Sequence, residues 1–203
     1  MASYTTFQIG GPADFFASVS SEAELQAVLH WASDVDVPYI MLGGGSNVVF
    51  ADEGFRGLVV RYSGTTLSVR ESAETVWLEV EAGMDWDALV SYTVERGWWG
   101  LENLSAIPGS VGAAPIQNIG AYGVEVDSCI ESVRVYSVPD GSYQDLSVTD
   151  CAFGYRDSVF KRSTGAGLLV TKVRFRLSRL PRPVTQYPDV ARALDGLVEP
   201  SPS

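Results

Sequence analysis

The order of apolar and polar positions divides the chain into elements before any motif is considered. In SEAELQAVLHWASD, at 21–34, Leu25, Val28, Leu29 and Ala32 recur at helical spacing, and Ser21 with Glu24 has the spacing of a capping box. A helix packed on a core is expected there. PYIML at 38–42 and GLVVRY at 57–62 read as buried strands. In TVWLEVEAG, at 75–83, Val76, Leu78 and Val80 alternate with Trp77, Glu79 and Glu81, the period of a half-buried strand. DWDALVSYTVERG then reads as a helix capped by Asp85 and stopped by Gly97. Further strands are expected at ESVRVYSV (131–138), at SYQDLSV beyond a PDG turn, and at LLVTKVRFRL (168–177). Helices and strands do not alternate regularly, so the fold class is α+β and not a doubly wound parallel sheet. The chain divides near residue 63, into 1–63 and 64–180, with a Pro-rich, weakly helical tail at 181–203.

Two stretches escape both periods. The first is LGGGSNVVF at 42–50, directly after a strand. A dinucleotide fingerprint begun at Gly43 needs glycine where Val48 stands, and a phosphate loop needs a Gly-Lys pair that occurs nowhere in the chain. What remains is a concave run of backbone N–H groups suited to an anion such as a pyrophosphate, with Ser46 and Asn47 adding side-chain hydrogen bonds. A plain tight turn requiring positive φ stays open beside it. The second stretch, GLENLSAIPGSVGAAPIQNIGAYGVEV at 100–126, is long, apolar and rich in small residues. Ser110, Ala113 and Ala114 permit close backbone approach, and Gln117, Asn118 and Tyr122 offer polar contacts. Such a loop is expected to line a pocket for a large, flat, partly polar ligand.

Composition narrows the function classes. Of 203 residues, 46% are hydrophobic and 19% charged, the profile of a globular protein. No apolar run approaches the roughly 18 residues of a membrane span, and the first residues lack the pattern of a secretory signal, so a cytoplasmic location is expected. Cys129 and Cys151 form no CxxC pair and read as reduced core thiols; His30 reads as a partly exposed helix residue, and no metal site is expected. A formal charge of −11 argues against nucleic acid as a partner. The charge is uneven, however: residues 151–203 hold nine of the 14 basic groups. The alternation of Lys172, Arg174 and Arg176 with Val173, Phe175 and Leu177 reads as a solvated strand face. Arg156, Lys161 and Arg162 lie outside it and are placed to meet an anionic ligand.

Four blocks, TTFQIGGPAD (5–14), LGGGSNVVF (42–50), GLENLSAIPGSVGAAPIQNIGAYG (100–123) and FGYRDSVFK (153–161), together resemble the MurB family of UDP-N-acetylenolpyruvoylglucosamine reductases of peptidoglycan synthesis. The resemblance spans nearly the whole chain. It implies two α+β subdomains of the vanillyl-alcohol oxidase (PCMH) type holding noncovalent FAD, with NADPH as reductant and a UDP-sugar as substrate. By this resemblance Gly43, Gly44, Gly45, Ser46 and Asn47 hold the FAD pyrophosphate, and Ile107, Pro108, Gly109, Ala113, Ala114, Asn118, Gly120, Tyr122 and Gly123 line the rest of the flavin. It makes Arg156 the catalytic arginine, orienting the substrate carboxylate, with Tyr155 and Tyr187 beside the substrate. The bland alternative for Arg156 is a surface ion pair with Asp157. The family's general-acid serine, in a GSFFKNP-like motif, and its C-terminal glutamate have no counterpart here; Ser158 and Glu199 stand in other contexts. The expectation is therefore of a flavin-binding portion without its third, substrate-binding domain. A noncatalytic FAD-binding module is the alternative, and another flavin oxidoreductase of the same fold a weaker one. The sequence does not specify an oligomeric state.

Overall fold

The computed structural model describes residues 1–195 and Pro202. The strands in chain order are β1 (Ala13–Val19), β2 (Tyr39–Leu42), β3 (Phe55–Tyr62), β4 (Leu67–Glu71), β5 (Thr75–Glu81), β6 (Gly120–Ala121), β7 (Val124–Glu125), β8 (Ile130–Ser137), β9 (Ser142–Ser147) and β10 (Leu168–Ser178). The helices are α1 (Glu22–Asp34), α2 (Trp86–Val94), α3 (Val148–Cys151) and α4 (Pro188–Ala193). A three-stranded parallel sheet runs β1-β3-β2, a five-stranded antiparallel sheet runs β4-β5-β10-β8-β9, and β6 with β7 forms a small hairpin.

Central β3 is buried on both faces, which is why GLVV reads as an unbroken apolar run. Leu58, Val60 and Tyr62 join the main core with Leu25, Leu29 and Ala32 of α1; Val59 turns the other way, to Leu42 and Phe50. Ser21 caps α1 by accepting from Glu24 N at 3.2 Å. The Glu24 carboxylate reaches back past the capping-box partner, to the amide and hydroxyl of Ser20 at 2.7 and 3.0 Å. Asp85 caps α2 by accepting from Ala88 N at 2.9 Å, and Gly97 ends that segment with φ +69°. On β10 the expected alternation is present: Val173, Phe175 and Leu177 are buried, and the basic side chains face outward.

The sequence pattern missed β1, β4 and the β6–β7 hairpin. Both β1 and β4 are sheet edges exposed along most of their length, so no alternation of buried and open positions marks them. Of the tail, Pro188–Ala193 is helical, and the residues from 196 on, Glu199 among them, lie outside those described, Pro202 excepted. Cys129 and Cys151 are free, and burial pushes their thiols up to about 11 and about 12.

The two sheets share one continuous core, and a chain of ion pairs at its rim ties α1 to the five-stranded sheet. Glu22, at the start of α1, accepts from Arg134 Nε at 2.7 Å and from Thr171 Oγ1 at 2.9 Å, while Tyr143 Oη donates to the Glu22 carbonyl at 2.5 Å. Arg134 and Arg174 flank Asp145 at 3.5 and 2.8 Å, and Arg174 continues to Glu79 at 2.6 Å. Burial raises the carboxyls of Glu22, Glu79 and Asp145. Hydrogen bonds and charge from Arg134, Arg174 and Lys172 outweigh it, so each is held below its ordinary value. A folded-state value below the unfolded one stabilises the protein above the ordinary carboxylate range, and that contribution is lost as pH falls through the folded values. Glu22→Gln is thus expected to cost about 1 to 2 kcal/mol near pH 7, or about 2 to 4 °C in Tm per kcal/mol for a chain of this size. Thermal melts across pH check the sign: the gap between variant and native protein should close below about pH 4.

Candidate cofactor and active site

The glycine loop leaves the carboxyl end of β2, the end of a parallel strand at which open α/β sheets place their ligands. Its glycines answer to close approach by other backbone. A Cβ on Gly44 would lie 2.9 Å from Gly109 Cα, and one on Gly43 would lie 3.1 Å from Ser110 Oγ. Gly45 combines φ +72° with a Cβ position 1.9 Å from the Tyr4 carbonyl oxygen, and its own carbonyl accepts from Thr6 N at 3.0 Å. The loop is tied to the second loop by Ser46 Oγ donating to Pro108 O at 3.2 Å and by Asn47 Nδ2 donating to Gln117 Oε1 at 3.2 Å. Among the described residues, the amides from Gly44 to Val49 donate to no protein acceptor, and neither do those of Ile107, Gly109 and Ser110. Two loops that meet through these bonds thus both carry N–H groups without a protein acceptor.

The second loop is braced by the start of α2. Trp86 N donates to Gly109 O at 3.1 Å, and its buried indole Nε1 donates to Leu104 O at 2.8 Å. Asp87 Oδ1 accepts from Ser105 Oγ at 2.9 Å and from Ala106 N at 2.7 Å. Val111 and Gly112 donate to Met84 O and Ala82 O, both at 2.9 Å.

Between the loops lie two adjoining cavities of about 280 and 260 Å³, which share Met41, Ser110, Ala113 and Ile116 as walls. Seven of the expected cofactor residues line them: Gly43, Ser46, Asn47, Pro108, Gly109, Ala113 and Ala114. No carboxylate does, and among the described residues Lys161 is the one charged side chain in either wall. Unbonded amides, small-residue walls and the lack of carboxylates fit a ligand that is flat and apolar in part and carries a diphosphate. Met41, Trp86, Ile116 and Lys161 also line this space. Of these only Lys161 had a signal in the sequence, its charge; Trp86 was concealed as the first residue of an ordinary capped helix.

The remaining expected residues gather differently. Gly44 and Gly45 belong to the glycine loop without lining the cavities, and Ile107 packs against the main core. Asn118, with φ +44°, is fully buried. Its Nδ2 donates to Glu125 Oε2 and Gly154 O, both at 3.2 Å, and its Oδ1 accepts from Asp127 N at 3.1 Å. Its side chain therefore brackets the β6–β7 hairpin to the segment that carries Arg156. Arg156, with φ +53°, donates from Nη2 to Gly120 O at 2.7 Å. Tyr122 meets Tyr187 edge to face at 5.5 Å, and Asn103 Nδ2 donates to both Tyr122 O and Val184 O, at 3.2 and 3.0 Å. Gly123 needs its φ of +81° at the hairpin turn. Tyr155 is 85% exposed. Arg156, Gly120, Tyr122, Gly123 and Tyr187 thus form a second group around the hairpin. It is joined to the cavities by Lys161 Nζ donating to Arg156 O at 2.8 Å and by Ser158 Oγ donating to Ile116 O at 2.6 Å. The acid beside Arg156 has another partner: Arg162 donates to Asp157 Oδ2 at 2.6 and 3.0 Å, and this holds the Asp157 carboxyl below its ordinary value.

The chain matches known proteins in sequence and in fold. The family model of an FAD binding domain matches residues 13–147. The UDP-N-acetylenolpyruvoylglucosamine reductase of Salinispora arenicola is 46% identical over 198 residues, covering 96% of this chain and 54% of that protein. The crystal structure of UDP-N-acetylenolpyruvylglucosamine reductase (MurB) from Thermus caldophilus superposes with a TM-score of 0.73 at 31% identity, covering 98% of this chain and 69% of that one. The chain belongs to the MurB family. It contains the FAD-binding domain of these flavoproteins, and it spans about half the length of the curated MurB relatives it matches. A solvent-stable cholesterol oxidase, at 16% identity and a TM-score of 0.62, shares the fold alone, the PCMH type that MurB proteins also have. Among the described residues no helix is long and apolar enough to cross a membrane.

Proposed function

We propose that this chain is the flavin-binding portion of a cytoplasmic, NADPH-dependent reductase acting on UDP-N-acetylglucosamine enolpyruvate. The observation that carries the reading is the run of unbonded amides from Gly44 to Val49 at the end of β2, beside a cavity that Ser46, Asn47 and Val48 line and that, among the described residues, no carboxylate lines. Residues 1–63 and 64–180 act as the two subdomains, with noncovalent FAD between them. The amides of Gly43, Gly44, Gly45, Ser46 and Asn47 bind the diphosphate, as amides can where the chain carries few cations. Pro108, Gly109, Ala113 and Ala114 give the flavin a wall without bulk. When bound, FAD supplies hydride-transfer chemistry, with NADPH as its reductant. Arg156 orients the substrate carboxylate through its planar guanidinium and offsets the negative charge that develops there, a fork geometry that lysine lacks. Tyr155, Tyr122 and Tyr187 supply aromatic surface beside it.

Visible flavin absorbance in the purified chain, or its appearance on adding FAD, is the expected result. The colour should leave with small solutes on denaturation. A folded sample that neither contains nor takes up FAD sinks the reading.

A second reading, a flavin-binding module that does not turn over by itself, draws on one observation. The serine of the YRDS block is buried and its hydroxyl is committed to Ile116 O, so it donates no proton to a substrate. Little or no NADPH oxidation dependent on the enolpyruvyl sugar is expected from the 203-residue chain alone. Steady substrate-dependent turnover in a stopped or continuous absorbance assay would show that a proton donor has been overlooked.

A further inference from the structure

Three basic residues near the YRDS block were candidates to meet an anion, and the structure separates them. Arg162 is occupied by Asp157, and Arg156 points to the β6–β7 hairpin, where it donates to Gly120 O. Lys161 alone of the three lines the glycine-loop cavity, together with Ser46, Asn47, Gly109 and Gln117. Its position is set by covalent and hydrogen-bonded neighbours. The 3-10 turn Val159–Lys161 follows Ser158, whose hydroxyl pins the turn to the cavity wall at Ile116 O, and Arg162 N closes the turn on Val159 O at 3.0 Å.

We infer that Lys161 is a cofactor-binding residue, the cation that stands against the FAD diphosphate, a role that rests on the flavin reading given above. The amides of the glycine loop provide partial charges only, and the chain as a whole carries a formal charge of −11, a field that opposes the entry of a dianion. One compact ammonium in a wall free of carboxylates is the local counter-charge that such a ligand requires. The same ammonium donates to Arg156 O, at a residue whose left-handed φ of +53° needs support. A purely structural role would consist of that hydrogen bond alone.

Two substitutions distinguish the roles. Lys161→Gln keeps a donor for the Arg156 carbonyl and removes the charge; Lys161→Arg keeps both. Arg176→Gln, on the exposed face of β10, controls for net charge. FAD dissociation constants are measured on the full chain by quenching of flavin fluorescence, with thermal melts confirming that each variant is folded. Lys161→Gln is expected to weaken FAD by about tenfold or more at low ionic strength, the scale of a lost charge-assisted hydrogen bond. That difference should narrow near 1 M salt, where the screening length falls to about 3 Å. Lys161→Arg and Arg176→Gln should bind FAD as the native chain does. If Lys161→Gln binds as tightly as native, or if the Gln and Arg variants weaken alike, the assignment is wrong while the flavin reading stands. If the native chain itself binds no FAD, the flavin reading fails and this inference fails with it.

Discussion

Replacing Gly44 with valine is expected to yield a folded protein that no longer retains FAD. The Cβ would fall 2.9 Å from Gly109 Cα, a backbone atom that cannot swing aside, and the two branch methyls of valine would extend further into the slot. Relief requires the two loops to separate. That would stretch or break the bonds from Ser46 to Pro108 O and from Asn47 to Gln117, which are otherwise near 3.2 Å. The loops are surface-facing, so the protein's stability should fall only by about 1 to 3 kcal/mol, the usual cost of overpacking. Flavin affinity should suffer more, because the two loops that carry the unbonded amides would no longer keep their spacing; a loss of about 100-fold, or about 2.7 kcal/mol, is the expectation. Titration with FAD followed by absorbance, alongside thermal melts, measures both quantities. Native affinity in the variant would mean that the loops do not act as a pair.

Trp86→Ala should show the largest loss of stability of any substitution considered. The side chain is 1% exposed, packs near Phe175 with ring centroids 6.1 Å apart, and donates its indole N–H to Leu104 O. Truncation creates a cavity and leaves that carbonyl without its donor, which together place the expected cost at about 3 to 5 kcal/mol. For a chain of this length that corresponds to a fall in Tm of about 6 to 20 °C. The residue also lines the candidate cofactor cavity and its backbone amide holds Gly109 O, so affinity for FAD should decline in the same variant. Trp86→Phe separates the two effects: it keeps most of the packing and removes only the indole donor. It should recover most of the stability and leave the Leu104–Gly109 loop less well held. A melt of Trp86→Ala within a few degrees of native would refute the role assigned to this tryptophan.

Most elements that bury a face were readable from residue order, and the exposed edge β9 was readable from the PDG turn before it; the exposed edges β1 and β4 were hidden. Helices α1 and α2 and strands β5, β8 and β10 carry their periods because one side of each meets the core, and β3, buried on both faces, shows as an apolar run. Edge strands β1 and β4 expose most positions, so Phe15 and Phe16 can stand side by side without violating any pattern. The β6–β7 hairpin has two residues per strand, too few for a period to be visible. By elimination the glycine loop was readable as either a tight turn or a candidate anion nest, yet the steric reason for its glycines was not. Gly44 and Gly45 are required by Gly109 and Tyr4, residues 65 and 41 positions away in the sequence, and only folding brings them together. Asn118 illustrates the converse. Its setting among glycines suggested a ligand contact, whereas its amide is wholly engaged in protein hydrogen bonds and joins two segments. Arg156 and Asp157 are adjacent in sequence but do not pair, since the left-handed backbone at Arg156 sends its side chain to Gly120 and leaves Asp157 to Arg162.

The cross-loop bonds from Ser46 and Asn47 also bear on timing. Since each loop steadies the other through its own atoms, the entropy of ordering them is incurred during folding and not when a ligand arrives. On the flavin reading, capture of the cofactor is then expected to need little reordering of the loops, and differences in affinity among variants of this site should be expressed in how slowly the flavin departs.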